Sequence, residues 1–360
     1  MGGARRLSEF TELTNTSELP VLRDIDASCG RLAVIWCAVK KEGEGPSVYD
    51  SYLKVSILSV LDKAPSVLPV LLFDGAADHP LAAWVRDKGG LVIVHSLSFK
   101  EKMMAAATEL YRWQTTTWLA TFFYFDIGLV ADQLRALTAG MGVDLTNVLY
   151  TDVDTMFMGD INACSLPSPR ILSAAGEVTK LNPANAGVIY LNLTAWVELH
   201  GDLMQFAKLN GWIFPNADQE WLFRFFGDRV SVLPDTYNWK PYWGHPQPGT
   251  WGKAPAIKIL HIHGPKFQES VCVLKFLGTY DVTDDRNSTL LAKIKAWCKY
   301  ERSQYSMQLL LDANKVDGGR MYNDAHQIFF RYLAKVRILG RPDEYWELVS
   351  GGPPKSARLA

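Results

Sequence analysis

The chain has 360 residues, of which 48% are hydrophobic and 21% charged, so it can bury a sizeable core as one large α/β domain or as a domain with an appendage. Lysine and arginine total 37 against 38 aspartate and glutamate. The resulting net charge of −1 would not draw the surface to nucleic acid or to anionic lipid. The five cysteines lie far apart and lack zinc-binding spacing, and we expect them to be buried, reduced thiols.

The polar N-terminal region lacks the apolar core of a signal peptide. The longest apolar-rich stretch, residues 118–131, is shorter than a membrane span and contains Asp126, so no transmembrane segment is expected in this chain. Taken literally, these features predict a cytoplasmic protein. A catalytic domain cut from a longer, anchored protein would look the same, and its location would then be the lumen of the Golgi or the endoplasmic reticulum.

Strands and helices alternate after a loose N-terminal segment, residues 1–29. Apolar runs such as LAVIWCAV predict strands buried on both faces, at residues 32–39, 69–73, 91–95, 147–150, 171–175, 187–193, 230–233 and 258–263. Helices are predicted at 48–61, 79–88, most of 100–139, 194–209 with Thr194 as its N-cap, and Ala217–Phe226. The alternation predicts an α/β fold with a mostly parallel sheet covered by helices, whose ligands bind beyond the carboxyl ends of the strands.

The pattern changes beyond residue 284. Amphipathic helices are predicted at 290–300, 305–311 and 325–336, and a tail rich in glycine and proline follows. We therefore divide the chain into a main domain, residues 30–284, and a C-terminal helical appendage with its tail, residues 285–360.

Asp152 and Asp154 come directly after a predicted strand, in the sequence NVLYTDVD. Residues two apart in an extended chain point to the same side, so both carboxylates can face one spot just beyond the strand. Oxygen ligands of this kind suit Mg²⁺ or Mn²⁺. The alternative is an ordinary polar loop, because Asp-x-Asp is a common sequence.

Two more segments place polar side chains next to predicted elements. Asn185 can offer both a donor and an acceptor to a sugar hydroxyl, and Gly187 would let a ligand approach the backbone of the strand that it begins. At the start of the helix Ala217–Phe226, Asn216 is a candidate N-cap and Asp218 would favour the positive helix end. Gln219 has no such local role.

The predicted strand 258–263 ends in His261, His263, Gly264 and Lys266. An imidazole can complete a metal site, a glycine allows close approach to phosphate, and a lysine supplies a point charge for it. The two histidines are two residues apart, so strand alternation does not choose between them.

Together these segments resemble the retaining nucleotide-sugar glycosyltransferases of family 8, the family of glycogenin and the bacterial lipopolysaccharide galactosyltransferases. The resemblance covers residues 32–270 and follows the family order in five pieces: LYTDVDTMFMGDI, NAGVIYLNLTAW, ADQEWLF, VLPDTYNW and HIHGPK. It implies a GT-A fold, a UDP-sugar donor, Mn²⁺ or Mg²⁺, and a carbohydrate, glycolipid or protein acceptor.

The resemblance also implies roles for particular residues. Asp152, Asp154 and His261 take the positions of the metal ligands. Gly264 and Lys266 take the position that binds the diphosphate. The positions that contact the donor sugar are Asn185, Ala186, Asp218 and Gln219, of which Asp218 and Gln219 are our candidate catalytic residues. Gly187 and Asp152 are also expected to bind the donor. The chain departs from the family pattern where Tyr124 replaces an arginine and where Lys266 comes one residue early.

Two alternatives to an active glycosyltransferase are kept open. One is a catalytically weak module that binds nucleotide sugars and uses its helical tail to engage partners. The other is a nucleotidyltransferase on a related scaffold, which would release pyrophosphate and need a basic glycine-rich loop after the first strand. The sequence KKEGEG at that place is a poor version of such a loop.

Overall fold

A computed structural model describes residues 29–45, 47–106, 116–176, 184–214, 216–243 and 256–263, together with Ala325, Ile328, Phe329 and Tyr332. The segment 1–28 and most of 285–360 lie outside these residues, so the predicted domain boundaries stay predictions. Among the helices that are described, none is both long and apolar enough to cross a membrane.

A seven-stranded sheet forms the centre of the described residues, in the order β3-β2-β1-β4-β7-β6-β8. Its strands are β1 (Arg31–Val39), β2 (Val67–Asp74), β3 (Leu91–Val94), β4 (Val143–Thr151), β6 (Leu172–Gly176), β7 (Ala184–Asn192) and β8 (Val230–Val232). All neighbours run parallel except β7, which is antiparallel to both β4 and β6. The prediction of a mostly parallel sheet is confirmed.

Two short strands form a separate antiparallel ribbon, β5 (Thr155–Phe157) with β9 (Ile259–His261). The sequence analysis did not predict β5, because three residues directly after Asp-x-Asp are too few to show a periodic pattern. The ribbon matters for function because it pairs the chain that follows β4 with the end of the last described strand.

Seven α-helices lie in the described residues: α1 (Val48–Lys63), α2 (Pro80–Asp87), α3 (Lys100–Ala106), α4 (Thr116–Phe122), α5 (Ala131–Thr138), α6 (Leu193–Leu209) and α7 (Ala217–Phe226). A 3₁₀ segment, Phe123–Val130, joins α4 to α5. The predicted N-cap of α6, Thr194, is wrong. Asn192, the last residue of β7, caps the helix instead, and its side chain accepts a hydrogen bond from the Ala195 backbone N–H at 3.1 Å.

The central strand β1 is buried on both faces, and its successive residues show why its sequence is apolar almost throughout. Ala33 and Ile35 belong to one core, which also contains residues of α4–α7 and of the 3₁₀ segment. Leu32, Val34 and Trp36 belong to the other, which contains residues of α1 and α2. A strand covered by helices on both sides reads as a continuous hydrophobic run rather than an alternating one.

Cys29 and Cys164 form a disulfide, with their Cα atoms 5.4 Å apart. The expectation of reduced thiols is wrong for this pair, because the fold brings together two residues separated by 135 positions. Cys37 is free and buried, as expected. The remaining two cysteines, Cys272 and Cys298, lie outside the described residues.

The described residues of the predicted appendage pack against the main domain. Ala325, Phe329 and Tyr332 share a hydrophobic cluster with residues of α1, β5 and β9. The Tyr332 hydroxyl also donates a hydrogen bond to Asp62 on α1 at 2.8 Å. These contacts place Ala325, Phe329 and Tyr332 against α1 and the β5-β9 ribbon.

Candidate metal centre

Asp152, Asp154 and His261 meet just beyond the carboxyl end of β4. One potential ligand atom from each lies within 4.8 Å of the other two. The His261 Nε2 atom is 3.4 Å from the Asp154 carboxylate and 3.7 Å from that of Asp152. The sequence predicted that these residues act together, and the structure brings them together.

The β5-β9 ribbon explains how residues more than 100 positions apart converge. A tight turn follows β4, in which the Thr155 hydroxyl donates to the Asp152 carbonyl at 2.9 Å. Thr155 then pairs with His261 across the ribbon, and the backbone N–H of Ile262 donates to the Asp154 carbonyl at 2.8 Å. The histidine is therefore held opposite the second aspartate by backbone hydrogen bonds.

The residues present fit a divalent cation. Two carboxylates and one imidazole are ligands that Mn²⁺ accepts and that Mg²⁺ accepts less readily, because nitrogen is a softer ligand than oxygen. Asp154 and His261 are buried, whereas Asp152 is partly exposed. The site is thus open on one side, as binding of a substrate to the same cation would require.

Tyr150, on β4, holds the first aspartate in place. Its buried hydroxyl donates a hydrogen bond to the Asp152 carboxylate at 2.6 Å. Burial, and then the charge of Asp152, raise the pKa of Tyr150 well above its ordinary value, so the phenol keeps its proton and stays a donor. The sequence analysis did not single out Tyr150, which reads simply as part of an apolar strand.

Asn185, Ala186 and Gly187 lie within β7 rather than before it, because the strand begins at Ala184 and not at 187 as predicted. The glycine was expected to let a ligand approach the backbone. In the structure the groups that approach it are protein side chains, since a Cβ at residue 187 would overlap the His261 ring and lie 2.9 Å from the Asp152 carboxylate.

A series of amide groups connects Gln219 to the metal centre. The Gln219 Oε1 atom accepts from the Ala186 backbone N–H at 3.2 Å and from Asn185 Nδ2 at 3.3 Å. Asn185 Oδ1 accepts from the Gly187 N–H at 3.0 Å and from Asn238 Nδ2 at 2.9 Å. Asn238 Oδ1 lies 2.8 Å from His261 Nδ1. The predicted sugar-binding residues and the predicted metal ligand thus belong to one network.

Asn238 is the member of this network that sequence reasoning missed. It lies in the segment VLPDTYNW, which contributes to the family resemblance, but no local pattern distinguishes it from a loop residue. It follows a short 3₁₀ turn, Asp235–Tyr237, and is fully buried. A buried asparagine needs partners for both ends of its amide, and this requirement is visible only in three dimensions.

Asp218 lies in the first turn of α7 and is largely buried. Burial, followed by the charge of Asp152, raises the pKa of Asp218 well above its ordinary value, against the opposing effect of Tyr124 and backbone N–H groups. A role limited to favouring the helix end does not account for this environment. Asn216 precedes the helix, but its side chain does not cap it. The Asn216 backbone N–H instead donates a hydrogen bond to the Glu220 carboxylate.

Tyr124, which replaces the arginine of the family pattern, is fully buried and packs against Tyr150 with the rings tilted by 32° and their centroids 4.4 Å apart. Its hydroxyl interacts with the Asp218 carboxyl, although it forms no hydrogen bond of good geometry in the described part of the chain. Burial, and then Asp218 and Asp152, raise the pKa of Tyr124 well above its ordinary value.

The remaining predicted site residues, Gly264 and Lys266, lie outside the described residues. His263 is described and lies beyond the end of β9, with its ring centroid 5.3 Å from that of His261. The cluster of metal-binding groups in the described residues contains His261 and not His263. The geometry therefore agrees with the choice that the family pattern made between the two.

Comparison with known proteins gives structural similarity only. No family model matches the chain, and no curated protein matches it in sequence. The galactosyltransferase LgtC, solved with donor and acceptor sugar analogues, is 15% identical with a TM-score of 0.45, over 78% of this chain and 100% of that one. The glycosyltransferase GlyE of Streptococcus pneumoniae is 16% identical with a TM-score of 0.43, over 83% of this chain and 63% of that one. Mouse xyloside xylosyltransferase 1 is 15% identical with a TM-score of 0.37, over 65% of this chain and 97% of that one.

All three are glycosyltransferases by description, the same class of protein that the sequence motifs resemble. Their identities and TM-scores are too low to assign a function to this chain. The assignment therefore depends on the site itself.

Proposed function

We propose that the chain is a metal-dependent glycosyltransferase, which moves a sugar from a UDP-sugar donor to an acceptor hydroxyl with retention of configuration. The observation that carries the proposal is the convergence of Asp152, Asp154 and His261 at the carboxyl end of β4, joined by hydrogen bonds to the polar groups of β7 and α7. Ligands of mostly parallel sheets bind at this end of the strands.

Asp152, Asp154 and His261 would hold Mn²⁺ or Mg²⁺. When bound, the cation supplies positive charge that stabilises the departing nucleotide diphosphate. The chain's own part is to fix three ligands in a partly buried site, where charges act more strongly than in water. The resemblance assigns further binding of the diphosphate to Gly264 and Lys266.

Gln219 is suited to orient the donor sugar, and the buried Asn185 supports it, since Asn185 Nδ2 donates to the Gln219 oxygen. Since the Gln219 carbonyl oxygen already accepts two hydrogen bonds, the group that it can offer to a sugar hydroxyl is its NH₂, a donor. Asp218 lies next to Gln219, and its raised pKa indicates that its buried position disfavours the ionised carboxylate. Both residues stay our candidates for catalysis, and Ala186 and Gly187 for shaping the donor pocket.

The Cys29–Cys164 disulfide supports one of the two locations that the sequence left open. Disulfides persist in oxidising compartments and are rare in the cytosol. We therefore propose the luminal alternative, in which the acceptor would be a carbohydrate, a glycolipid or a protein.

The test is a screen of UDP- and GDP-sugars with Mn²⁺, in which nucleotide release is followed with and without candidate acceptors. The proposal expects UDP release that needs both the cation and the donor and that rises with the right acceptor. Tight donor binding with no release under any condition would indicate a binding module and contradict the proposal. Release of pyrophosphate when a sugar phosphate and a nucleoside triphosphate are supplied would point instead to nucleotidyl transfer.

A further inference from the structure

We infer that Asn238 is a positioning residue that fixes the tautomer of His261, so that Nδ1 carries the proton and Nε2 presents a lone pair to the cation. The inference rests on the proposed metal site. It follows from the orientation of three amide side chains, each of which is determined by its neighbour.

The series starts at two backbone groups of β7, which can only donate. The Ala186 N–H faces Gln219, so the Gln219 atom that it meets must be the oxygen. The Gly187 N–H faces Asn185, so the Asn185 atom that it meets must also be the oxygen. The same assignment lets the Asn185 NH₂ group donate to Gln219, and the two amides confirm each other.

Asn238 is the next amide in the series. It approaches the Asn185 oxygen at 2.9 Å, so it must present its NH₂ group there. Its oxygen is then the atom 2.8 Å from His261 Nδ1, and an amide oxygen can only accept. His261 must therefore donate from Nδ1. Asn238 is fully buried, so its amide is shielded from bulk water.

The consequence concerns the other ring nitrogen. His261 Nε2 points at Asp154 and Asp152, at 3.4 and 3.7 Å. A neutral imidazole with its proton on Nε2 would donate to these carboxylates and would block its own lone pair from the cation. Asn238 disfavours that tautomer by offering an acceptor on the opposite side of the ring. Partners of this kind typically change metal affinity by about 10- to 100-fold.

The experiment compares the parent with Asn238→Ala and Asn238→Asp. Long-range ¹H–¹⁵N spectra of protein labelled with ¹⁵N-histidine report which ring nitrogen carries the proton, and the His261→Asn spectrum assigns the signals. The spectra are recorded without metal, at a pH where the ring is neutral. Mn²⁺ affinity is measured in parallel from the electron paramagnetic resonance signal of free Mn²⁺.

We expect the Nδ1–H form in the parent and in Asn238→Asp, which keeps an acceptor, and a shift toward the Nε2–H form in Asn238→Ala. Mn²⁺ affinity should fall by about tenfold or more in Asn238→Ala and much less in Asn238→Asp. A matched control is Asn192→Ala, which removes the cap of α6 and should leave the His261 signals unchanged.

An Nε2–H form in the parent would overturn the inference without any variant. So would an Asn238→Ala protein whose His261 tautomer, or whose Mn²⁺ affinity, matches that of the parent. Because the tautomer is measured without metal or donor, its result stands whether or not sugar transfer is detected, and failure of the proposed function can be told apart from failure of this assignment.

Discussion

Gly187 on β7 lies directly against the imidazole of His261 at the end of β9, and any side chain at residue 187 would overlap that ring. The two residues belong to different sheets, and their contact lies at the candidate metal centre. The absence of a Cβ therefore serves the convergence of the ligands rather than the conformation of the backbone.

Gly187→Ala should lower Mn²⁺ affinity by tenfold or more, equivalent to about 1.4 kcal/mol. The new methyl group would displace His261 from its position between the two aspartates. Mn²⁺ titration and thermal unfolding would be compared with those of Gly201→Ala. Gly201 lies in α6 with open space around it, so that variant should bind Mn²⁺ normally and be slightly more stable. Equal Mn²⁺ affinity in both variants would show that Gly187 is not required for Mn²⁺ binding.

Gln219→Ala should lower kcat more than it lowers UDP affinity. The side chain accepts hydrogen bonds from Asn185 and Ala186, two of the β7 residues assigned to the sugar. Donor turnover and UDP binding would be measured side by side, with Gln133→Ala on the exposed surface of α5 as the control. Collapse of UDP affinity with an unchanged kcat would mean that Gln219 serves the nucleotide rather than the sugar.

The sequence predicts those parts of the fold that depend on local hydrophobic pattern. The apolar runs identified the strands β1, β2 and β3 closely, because strands buried on both faces cannot be polar. It also indicated Asp152 and Asp154 as candidate metal ligands, since two carboxylates directly after such a strand can face one spot, with an ordinary polar loop as the alternative. The choice of His261 over His263 depended on the family resemblance as well, because residues two apart on a strand point to the same side.

Features that depend on distant contacts could not be predicted. The Cys29–Cys164 pair is separated by 135 residues, and cysteine spacing alone does not give connectivity. Asn238 acts only through Asn185 and His261, each of which comes from a different element. Tyr150 could not be distinguished from its apolar neighbours, because its function is confined to one hydroxyl.

Replacement of both disulfide cysteines, Cys29→Ser with Cys164→Ser, should lower the free energy of unfolding by about 5 kcal/mol in the chain-entropy account of a long closed loop. Thermal and urea unfolding of the parent and the double variant would be measured with and without reductant. Reductant should destabilise the parent and leave the double variant unaffected. A parent that is equally stable with and without reductant would contradict a stabilising disulfide.

Asp126 should make the fold sensitive to acid. Burial raises the pKa of this carboxyl, but hydrogen bonds from His200, His95 and Ser98 outweigh burial and lower the pKa below its ordinary value. A depressed pKa in the folded state means that the ionised carboxylate stabilises the fold above the unfolded pKa, near 3.9, and that this stability is lost as pH falls through the folded pKa.

Asp126→Asn should therefore cost about 2 kcal/mol near neutral pH, and the difference from the parent should shrink below about pH 4. Urea unfolding across this range would measure it. Asp132→Asn is the matched control, because Asp132 pairs with Arg135 on the surface and its side chain is 97% exposed. A gap between parent and Asp126→Asn that stays constant down to about pH 3 would show that the carboxylate charge does not matter.

The most direct test of the central claim is Mn²⁺-dependent UDP binding by Asp154→Asn, compared with Asp144→Asn. Both aspartates lie on or next to β4, but Asp144 is exposed and far from the cluster. The account predicts that Asp154→Asn keeps the parent's melting temperature and loses about 100-fold or more of its Mn²⁺-dependent UDP affinity, whereas Asp144→Asn binds as the parent does. Normal Mn²⁺-dependent binding by a folded Asp154→Asn protein would contradict the metal centre, and with it the proposed function.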